Sequence, residues 1–156
     1  MKLHSITDSM SKVIELQIPS SLGNEKAAMD LADSLTNNLQ FSKDRQAEIK
    51  TAVSEACINA IEHGNKFDTD KKVQILFRES KKFLEIEVID YGDGFLFDKH
   101  PDQINILKKI NSNRREDLRG WGLYIIKKIT DKIEAQKLNY GYSLKMFFKR
   151  SHKRGY

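Results

Sequence analysis

The sequence predicts an α+β fold, a two-layer sandwich in which helices cover one face of a mixed, mainly antiparallel sheet. Three segments repeat apolar residues at three- and four-residue intervals, as amphipathic helices do, and five segments alternate apolar and polar residues, as half-buried strands do. Four of those five strands come in pairs that read as antiparallel hairpins. Helices must bury their apolar stripes, and one face of such a sheet offers the matching surface.

The first half of the chain is predicted to form one strand and two helices. Lys12 to Ile18 alternates apolar and polar residues and is expected to be the strand. Ser20 or Ser21 is expected to cap the first helix and Ser42 the second, because hydroxyl oxygens accept hydrogen bonds from free N–H groups at helix starts. The second helix is expected to end at the Gly64-Asn65 pair, a common C-cap sequence.

The second half is predicted to form two hairpins separated by a loop and a helix. Residues 72–88 alternate around a turn at residues 79–82 and form the first hairpin. Residues 96–118 are the least regular part and predict a lid-like loop. A helix is expected over Tyr124 to Asp131, and residues 132–149 form the second hairpin.

Length and composition predict a single globular domain in the cytoplasm. The chain has 156 residues, of which 39% are hydrophobic and 31% charged. We expect a flexible N-terminus at residues 1–10, one domain over residues 11–150 and a basic tail at residues 151–156. The single cysteine, Cys57, rules out an internal disulfide. The sequence has neither a membrane-length apolar run nor the core of a signal peptide.

The formal net charge of +5 raises the question of nucleic-acid binding. Lys and Arg are scattered as pairs, however, and concentrate only in the tail from Lys149 to Arg154. No basic strand carries interleaved aromatic residues, and no cysteine–histidine spacing suggests a zinc finger. We therefore expect neither direct nucleic-acid binding nor membrane binding.

The stretch from Thr51 to Asn65 carries the most chemistry. At about 100° per residue, Glu55, Asn59, Glu62 and His63 fall on one flank of a helix, next to a stripe of small apolar residues. A carboxylate, a carboxamide and an imidazole beside the core are typical of a site for a metal or a polar ligand. An amphipathic helix with a mixed polar face explains this stretch equally well.

Two glycine-containing motifs favour a nucleotide as that ligand. Asp90 continues the inward parity of its strand, so its buried carboxylate needs a hydrogen-bond donor such as a purine amino group, and Gly92 and Gly94 follow it. Gly120 and Gly122 open a helix, where free N–H groups favour an anion such as phosphate. Each motif alone also fits an ordinary turn. The chain has no Walker A sequence and no dinucleotide fingerprint.

In the order in which they occur, the three motifs resemble those of the GHKL ATP-binding family, whose fold is the Bergerat fold. The segments EACINAIEHGNK, VIDYGDGF and LRGWGLYIIKKITD look like those of the bacterial anti-sigma-factor serine/threonine-protein kinases. The resemblance covers roughly Val13 to Lys149, which is nearly the whole chain.

The resemblance implies a role for each motif in an ATP- and Mg²⁺-dependent kinase. Glu55 would be the general base, Asn59 would ligate Mg²⁺, and Asp90 would accept a hydrogen bond from the adenine amino group. The other positions that the resemblance places near the nucleotide are Gly92, Gly94, Arg119, Gly120, Gly122, Leu123 and Ser143. His63, near the end of its helix, is a candidate neighbour of the phosphates without an assigned role, or a capping or packing residue.

The resemblance also implies partners. Such kinases bind a sigma factor and phosphorylate an anti-anti-sigma (STAS-type) protein on serine, a partner switch that regulates transcription, and they act as homodimers. Two alternatives remain open. One is an ATP-binding regulator that sequesters its partner without phosphoryl transfer, against which the intact Glu55 argues. The other is a detached histidine-kinase-like ATPase domain.

Overall fold

A computed structural model describes residues 12–92 and 121–151, and for Trp121 it describes only the backbone. The predicted N-terminal segment, the lid-like loop and most of the tail lie outside these residues. No helix of the described ranges is both long and apolar enough to span a membrane. The helices and strands are β1 (Val13–Pro19), α1 (Glu25–Asn38), α2 (Lys43–Asn59), a π turn (Ala60–Gly64), β2 (Lys72–Glu79), β3 (Phe83–Asp90), α3 (Trp121–Ile129), β4 (Lys132–Lys137) and β5 (Tyr142–Lys149).

The five strands form one sheet in the order β1-β2-β3-β5-β4. All four pairings are antiparallel, so the predicted α+β sandwich is confirmed, while the described residues contain no parallel pair of the kind that a mixed sheet has. β5 pairs with β3 although they are far apart in sequence, and this pairing sets Asp90 opposite Tyr142. The ends of β3 and β5 therefore lie side by side.

The core lies between the sheet and α2. Small apolar residues of α2, among them Ala52, Ala56 and Cys57, are almost fully buried, which lets this helix lie close to the strands. α2 contacts α1 on one side and α3 on the other. The strand residues that face this layer are Val73, Ile75, Phe77, Leu84, Ile86, Val88, Leu144, Met146 and Phe148.

The start of α1 differs from the prediction. The helix begins at Glu25 with Asn24 as its N-cap, and neither Ser20 nor Ser21 caps it. The Ser20 side chain is fully buried, and its hydroxyl donates a hydrogen bond to the carbonyl of Lys71. This long-range bond takes the hydroxyl away from the helix end, and local sequence does not reveal it.

The start of α2 is as predicted, and the helical run ends at Gly64 with Asn65 as its C-cap, as expected, although its last turn is a π turn. Ser42 accepts a hydrogen bond from the N–H of Arg45 at 3.2 Å, which is the expected N-cap. At the other end the chain passes into the π turn, in which the Asn65 N–H donates to the Ala60 carbonyl at 2.8 Å. The left-handed residues are Lys66 and Phe67, so the Gly64-Asn65 pair is not a left-handed cap.

Arg45 fastens the C-terminal end of α3 to α2. Its guanidinium donates to the carbonyl of Ile129 at 2.6 Å and to Asp131 Oδ2 at 2.7 Å. The same guanidinium lies 5.3 Å from the ring centroid of Phe148 in the core. Asp131 Oδ2 also accepts from the Lys149 N–H at 2.7 Å, so α2, α3 and β5 meet at one side chain.

We expect Arg45→Met to lower the free energy of unfolding by about 1–3 kcal/mol, because it removes the hydrogen bond to the Ile129 carbonyl and one of the two hydrogen bonds to Asp131. Lys50→Met is the matched control, since it removes only the more exposed ion pair with Asp33 and should cost less than about 1 kcal/mol. Urea denaturation of both variants measures the difference. Equal losses would show that Arg45 has no special role.

Candidate functional site

A cleft lies between α2, the π turn, the start of α3 and the adjacent ends of β3 and β5. Its walls are mostly apolar, and Asn59, His63 and Asp90 supply the polar groups. The lining residues are Ala56, Asn59, Ala60, His63, Gly64, Val88, Asp90, Leu123, Tyr142 and Leu144. An apolar cleft with a few polar groups suits a flat ligand that has hydrogen-bonding edges.

Asp90 supplies a buried acceptor at the inner end of this cleft. Only 7% of the residue is exposed, which confirms the inward orientation predicted from strand parity. Its Oδ1 accepts a hydrogen bond from the Gly92 N–H at 2.8 Å. Burial raises the pKa of the Asp90 carboxyl, and the bond from Gly92 partly opposes this. A ligand that donates a hydrogen bond here would stabilise the ionised carboxylate.

Gly64 allows the backbone at the end of the π turn to approach that carboxylate closely. A Cβ at this position would overlap the Asp90 carboxyl group, and a Cβ at Gly92 would overlap the Gly64 carbonyl. The sequence pattern suggested a glycine required by a helix cap. The structure instead requires it for close approach between two elements, a requirement that arises only when they pack.

Glu55 and Asn59 lie one turn apart on α2, where the start of α3 reaches them. A Cβ at Gly122 would lie 2.5 Å from Glu55 Oε2 and 3.6 Å from Asn59 Nδ2. The motif that contains Glu55 and Asn59 and the glycine motif that contains Gly122 were predicted separately, and the structure brings them into contact. Glycine at this position leaves room beside both side chains.

The pKa of Glu55 is raised above its usual value. Burial is the larger cause, and the negative charge of Glu62 adds to it. Glu62 is only partly exposed, and it also lies 3.9 Å from His63 Nε2. Glu62, which lies on the same flank of the helical run, thus acts on Glu55 through its charge.

Ser143 is not brought into the cleft. Its hydroxyl donates to Glu87 on the opposite face of the sheet, where Glu87 also pairs with Arg78 at 2.7 Å. Its neighbour Tyr142 lines the cleft in its place. The inward parity of Leu144 could have identified Tyr142, because residues two apart on a strand share a face.

The other predicted residues divide into two groups. His63 and Leu123 line the cleft, and Gly92 lies beside it through its bond to Asp90. Gly94, Arg119 and Gly120 lie outside the described residues.

The polar residues of the cleft resemble a magnesium site more than a site for a transition metal. Among residues 12–92 and 121–151, no cluster of three or more His, Cys, Asp or Glu side chains could hold a metal ion. Asn59 offers a single carboxamide oxygen. That donor fits Mg²⁺, a hard cation that takes few protein ligands and completes its shell with phosphate oxygens and water.

Comparison with known sequences places most of the chain in one family. Residues 18–148 match the family described as the histidine kinase-like ATPase domain. The serine-protein kinase RsbW of Bacillus subtilis (strain 168) is 28% identical over 123 residues, which are 79% of this chain and 77% of that protein. RsbW of Bacillus thuringiensis (strain Al Hakam) is 31% identical over 127 residues, 78% of this chain and 75% of that protein.

Two solved structures share the fold at low sequence identity. The RsbU and RsbW domains of a Mycobacterium tuberculosis protein match with a TM-score of 0.60 and 14% identity, over 87% of this chain and 32% of that one. The SiaB–SiaC complex from Pseudomonas aeruginosa matches with a TM-score of 0.59 and 13% identity, over 86% of this chain and 88% of that one. Both agree with the α+β sandwich.

We expect Glu55→Gln to raise the melting temperature at neutral pH. The raised pKa of Glu55 means that its ionised form costs folding energy, a cost that is absent when the carboxyl is protonated and present above its folded pKa. The gain should vanish as the pH falls below about 4, the range of an unfolded glutamate. Thermal melts across pH test this, with Glu48→Gln as an exposed control. A variant that melts below the wild type at neutral pH would contradict it.

Proposed function

Because the chain belongs to the histidine kinase-like ATPase domain family, we propose that it binds ATP and transfers the terminal phosphoryl group to a serine of a partner protein. Membership confirms the resemblance to the GHKL-type anti-sigma-factor kinases. The observation that carries the proposal is the arrangement of the cleft. A buried acceptor, Asp90, and the carboxamide of Asn59 line the cleft, and the carboxylate of Glu55 lies one helical turn from Asn59, beside the start of α3.

The adenine ring would occupy the apolar inner part of the cleft. Asp90 would accept a hydrogen bond from the amino group of the base, and Val88 and Leu144 would contact its faces. Gly64 and Gly92 would let the Asp90 carboxylate and the adjoining backbone pack closely beside the base, because neither has a side chain. A buried acceptor of this kind rejects ligands without the matching donor, since its desolvation would then go uncompensated.

The phosphates would extend towards the start of α3. Asn59 would hold Mg²⁺ through its carboxamide oxygen, and the family pattern adds Arg119, Gly120, Gly122 and Leu123 as phosphate neighbours, with His63 as a further candidate. When bound, Mg²⁺ would neutralise charge on the phosphate oxygens. The absence of a Cβ at Gly122 lets the chain approach that charge closely.

Glu55 would act as the general base. The hydroxyl oxygen of the partner's serine attacks the γ-phosphorus, its proton passes to Glu55, and the bond from the γ-phosphorus to the leaving ADP oxygen breaks. Burial and Glu62 raise the pKa of Glu55, which strengthens it as a proton acceptor in its ionised form. Transfer should therefore increase with pH as this carboxyl ionises.

We propose that the partners are a sigma factor and an anti-anti-sigma (STAS-type) protein, and that the chain works as a cytoplasmic homodimer. Support comes from relatives named serine-protein kinase RsbW and from a fold neighbour solved in a complex of two proteins. The sigma factor would be held while the antagonist is phosphorylated, and it would be released when the unphosphorylated antagonist binds instead.

We expect Glu55→Gln to reduce phosphoryl transfer by a factor of roughly 10² to 10⁴ while ATP still binds, because only the proton acceptor is lost. The measurement is incubation of the wild type and the variant with γ-labelled ATP and co-purified candidate partners. Label on a partner's serine supports the kinase. Stable binding of ATP and partner without label would instead indicate a sequestering regulator, and label on histidine a histidine-kinase-like domain.

We expect Asn59→Ala to abolish the magnesium dependence of ATP binding, because it removes the proposed protein ligand of the ion. Titration calorimetry with Mg²⁺ and with EDTA measures this dependence. Asn37→Ala, on the exposed end of α1, is the control and should keep it. A variant whose affinity for ATP still responds to Mg²⁺ as the wild type does would exclude Asn59 as the ligand.

A further inference from the structure

The Asn65 side chain joins three separate parts of the chain at the end of the cleft. Asn65 is 1% exposed, and its Nδ2 donates to Ser20 Oγ at 2.9 Å and more weakly to the Lys71 carbonyl at 3.4 Å. Its Oδ1 accepts from the Tyr91 N–H at 2.7 Å. The carboxamide therefore connects the segment after β1, the segment before β2 and the residue after β3.

The hydrogen bond from the Tyr91 N–H to Asn65 Oδ1 holds the peptide group that joins Asp90 to Tyr91. The Asp90 side chain branches from the main chain one residue earlier, and its carboxylate lies between the backbone of Gly64 and the Gly92 N–H. The neighbours Gly64 and Asn65 thus act on the neighbours Asp90 and Tyr91. Gly64 provides space for the Asp90 carboxylate, and Asn65 holds the backbone at Tyr91.

We propose that Asn65 is a positioning residue that holds the Asp90 carboxylate where it recognises the amino group of the base. This inference rests on the proposed function, because it assumes that Asp90 reads that group. Asn65 does not line the cleft, so it would act through the Tyr91 peptide and not by touching the nucleotide.

Burial explains why an asparagine suits this position. The position needs an acceptor for Tyr91 and a donor for Ser20 in the same buried side chain, and a carboxamide supplies both without charge. Ser20 is itself fully buried and donates to the Lys71 carbonyl. The network therefore ends on the backbone on both sides, at Lys71 and at Tyr91. Networks in which every group is satisfied are rigid, which is what a hydrogen-bonding specificity site requires.

The test compares ATP with purine riboside triphosphate, which carries hydrogen in place of the 6-amino group. We define the amino-group ratio as the Kd for purine riboside triphosphate divided by the Kd for ATP. Both ligands share ribose and phosphates, so general damage to the site weakens both equally and leaves the ratio unchanged. We expect a ratio of about ten or more for the wild type, since a charged acceptor is involved, and a ratio near one for Asp90→Ala.

Asn65→Ala should lower the amino-group ratio at least about threefold, towards that of Asp90→Ala. Gln46→Leu is the matched control, because Gln46 is also a buried carboxamide, bonded to the Phe41 carbonyl at 2.8 Å, but lies about 20 Å along α2 from Asn59. The Gln46→Leu variant should have a lower free energy of unfolding and keep the wild-type amino-group ratio. Circular dichroism confirms that each variant is folded at the temperature of titration.

Ser20→Ala keeps the inference testable if Asn65→Ala fails to fold. It removes one partner of Asn65 from outside the cleft and should lower the ratio by a smaller factor. An unchanged ratio in the folded Asn65 variant, or in Ser20→Ala if that variant alone folds, would overturn the inference while Asp90→Ala still supports the proposed function. A wild-type ratio near one would overturn both.

Discussion

The burial of the Asp90 carboxylate against Gly64, at the end of the π turn, is the interaction on which the rest of the site depends. A carboxylate is costly to bury, and within residues 12–92 and 121–151 its hydrogen-bond donor is the Gly92 N–H. Its position requires a glycine at residue 64, a π turn that delivers that glycine, and a hydrogen-bonded backbone after β3. Several local features thus share one cause.

The cleft concentrates groups that a purely structural protein would avoid. Burial raises the pKa of both Glu55 and Asp90, so both lower the stability of the protein in the ionised form. Asp90 lines the cleft and Glu55 lies one turn from Asn59, which also lines it, and carboxyl groups with perturbed pKa values at a cleft are typical of functional sites. By contrast, the buried Glu87 on the opposite face of the sheet has Arg78 and Ser143 as partners and is accounted for by structure alone.

The two ends of α3 have different environments. Its C-terminal end is held by Arg45, through hydrogen bonds to Ile129 and Asp131. Near its N-terminal end, Gly122 lies against Glu55 and Asn59. α3 is thus joined to α2 by side-chain hydrogen bonds at one end and by close packing at a glycine near the other.

The sequence by itself determined the fold class, the strands, the cap at Ser42 and the inward orientation of Asp90, because periodicity and capping are local properties. It also determined the family, since three motifs in order are more specific than any one of them. Only the tertiary structure decided that Ser143 faces away from the cleft and that Tyr142 lines it. It likewise decided that Ser20 serves a buried network and that Gly64 is needed for close approach. These features depend on contacts between residues far apart in the chain, which no local pattern records.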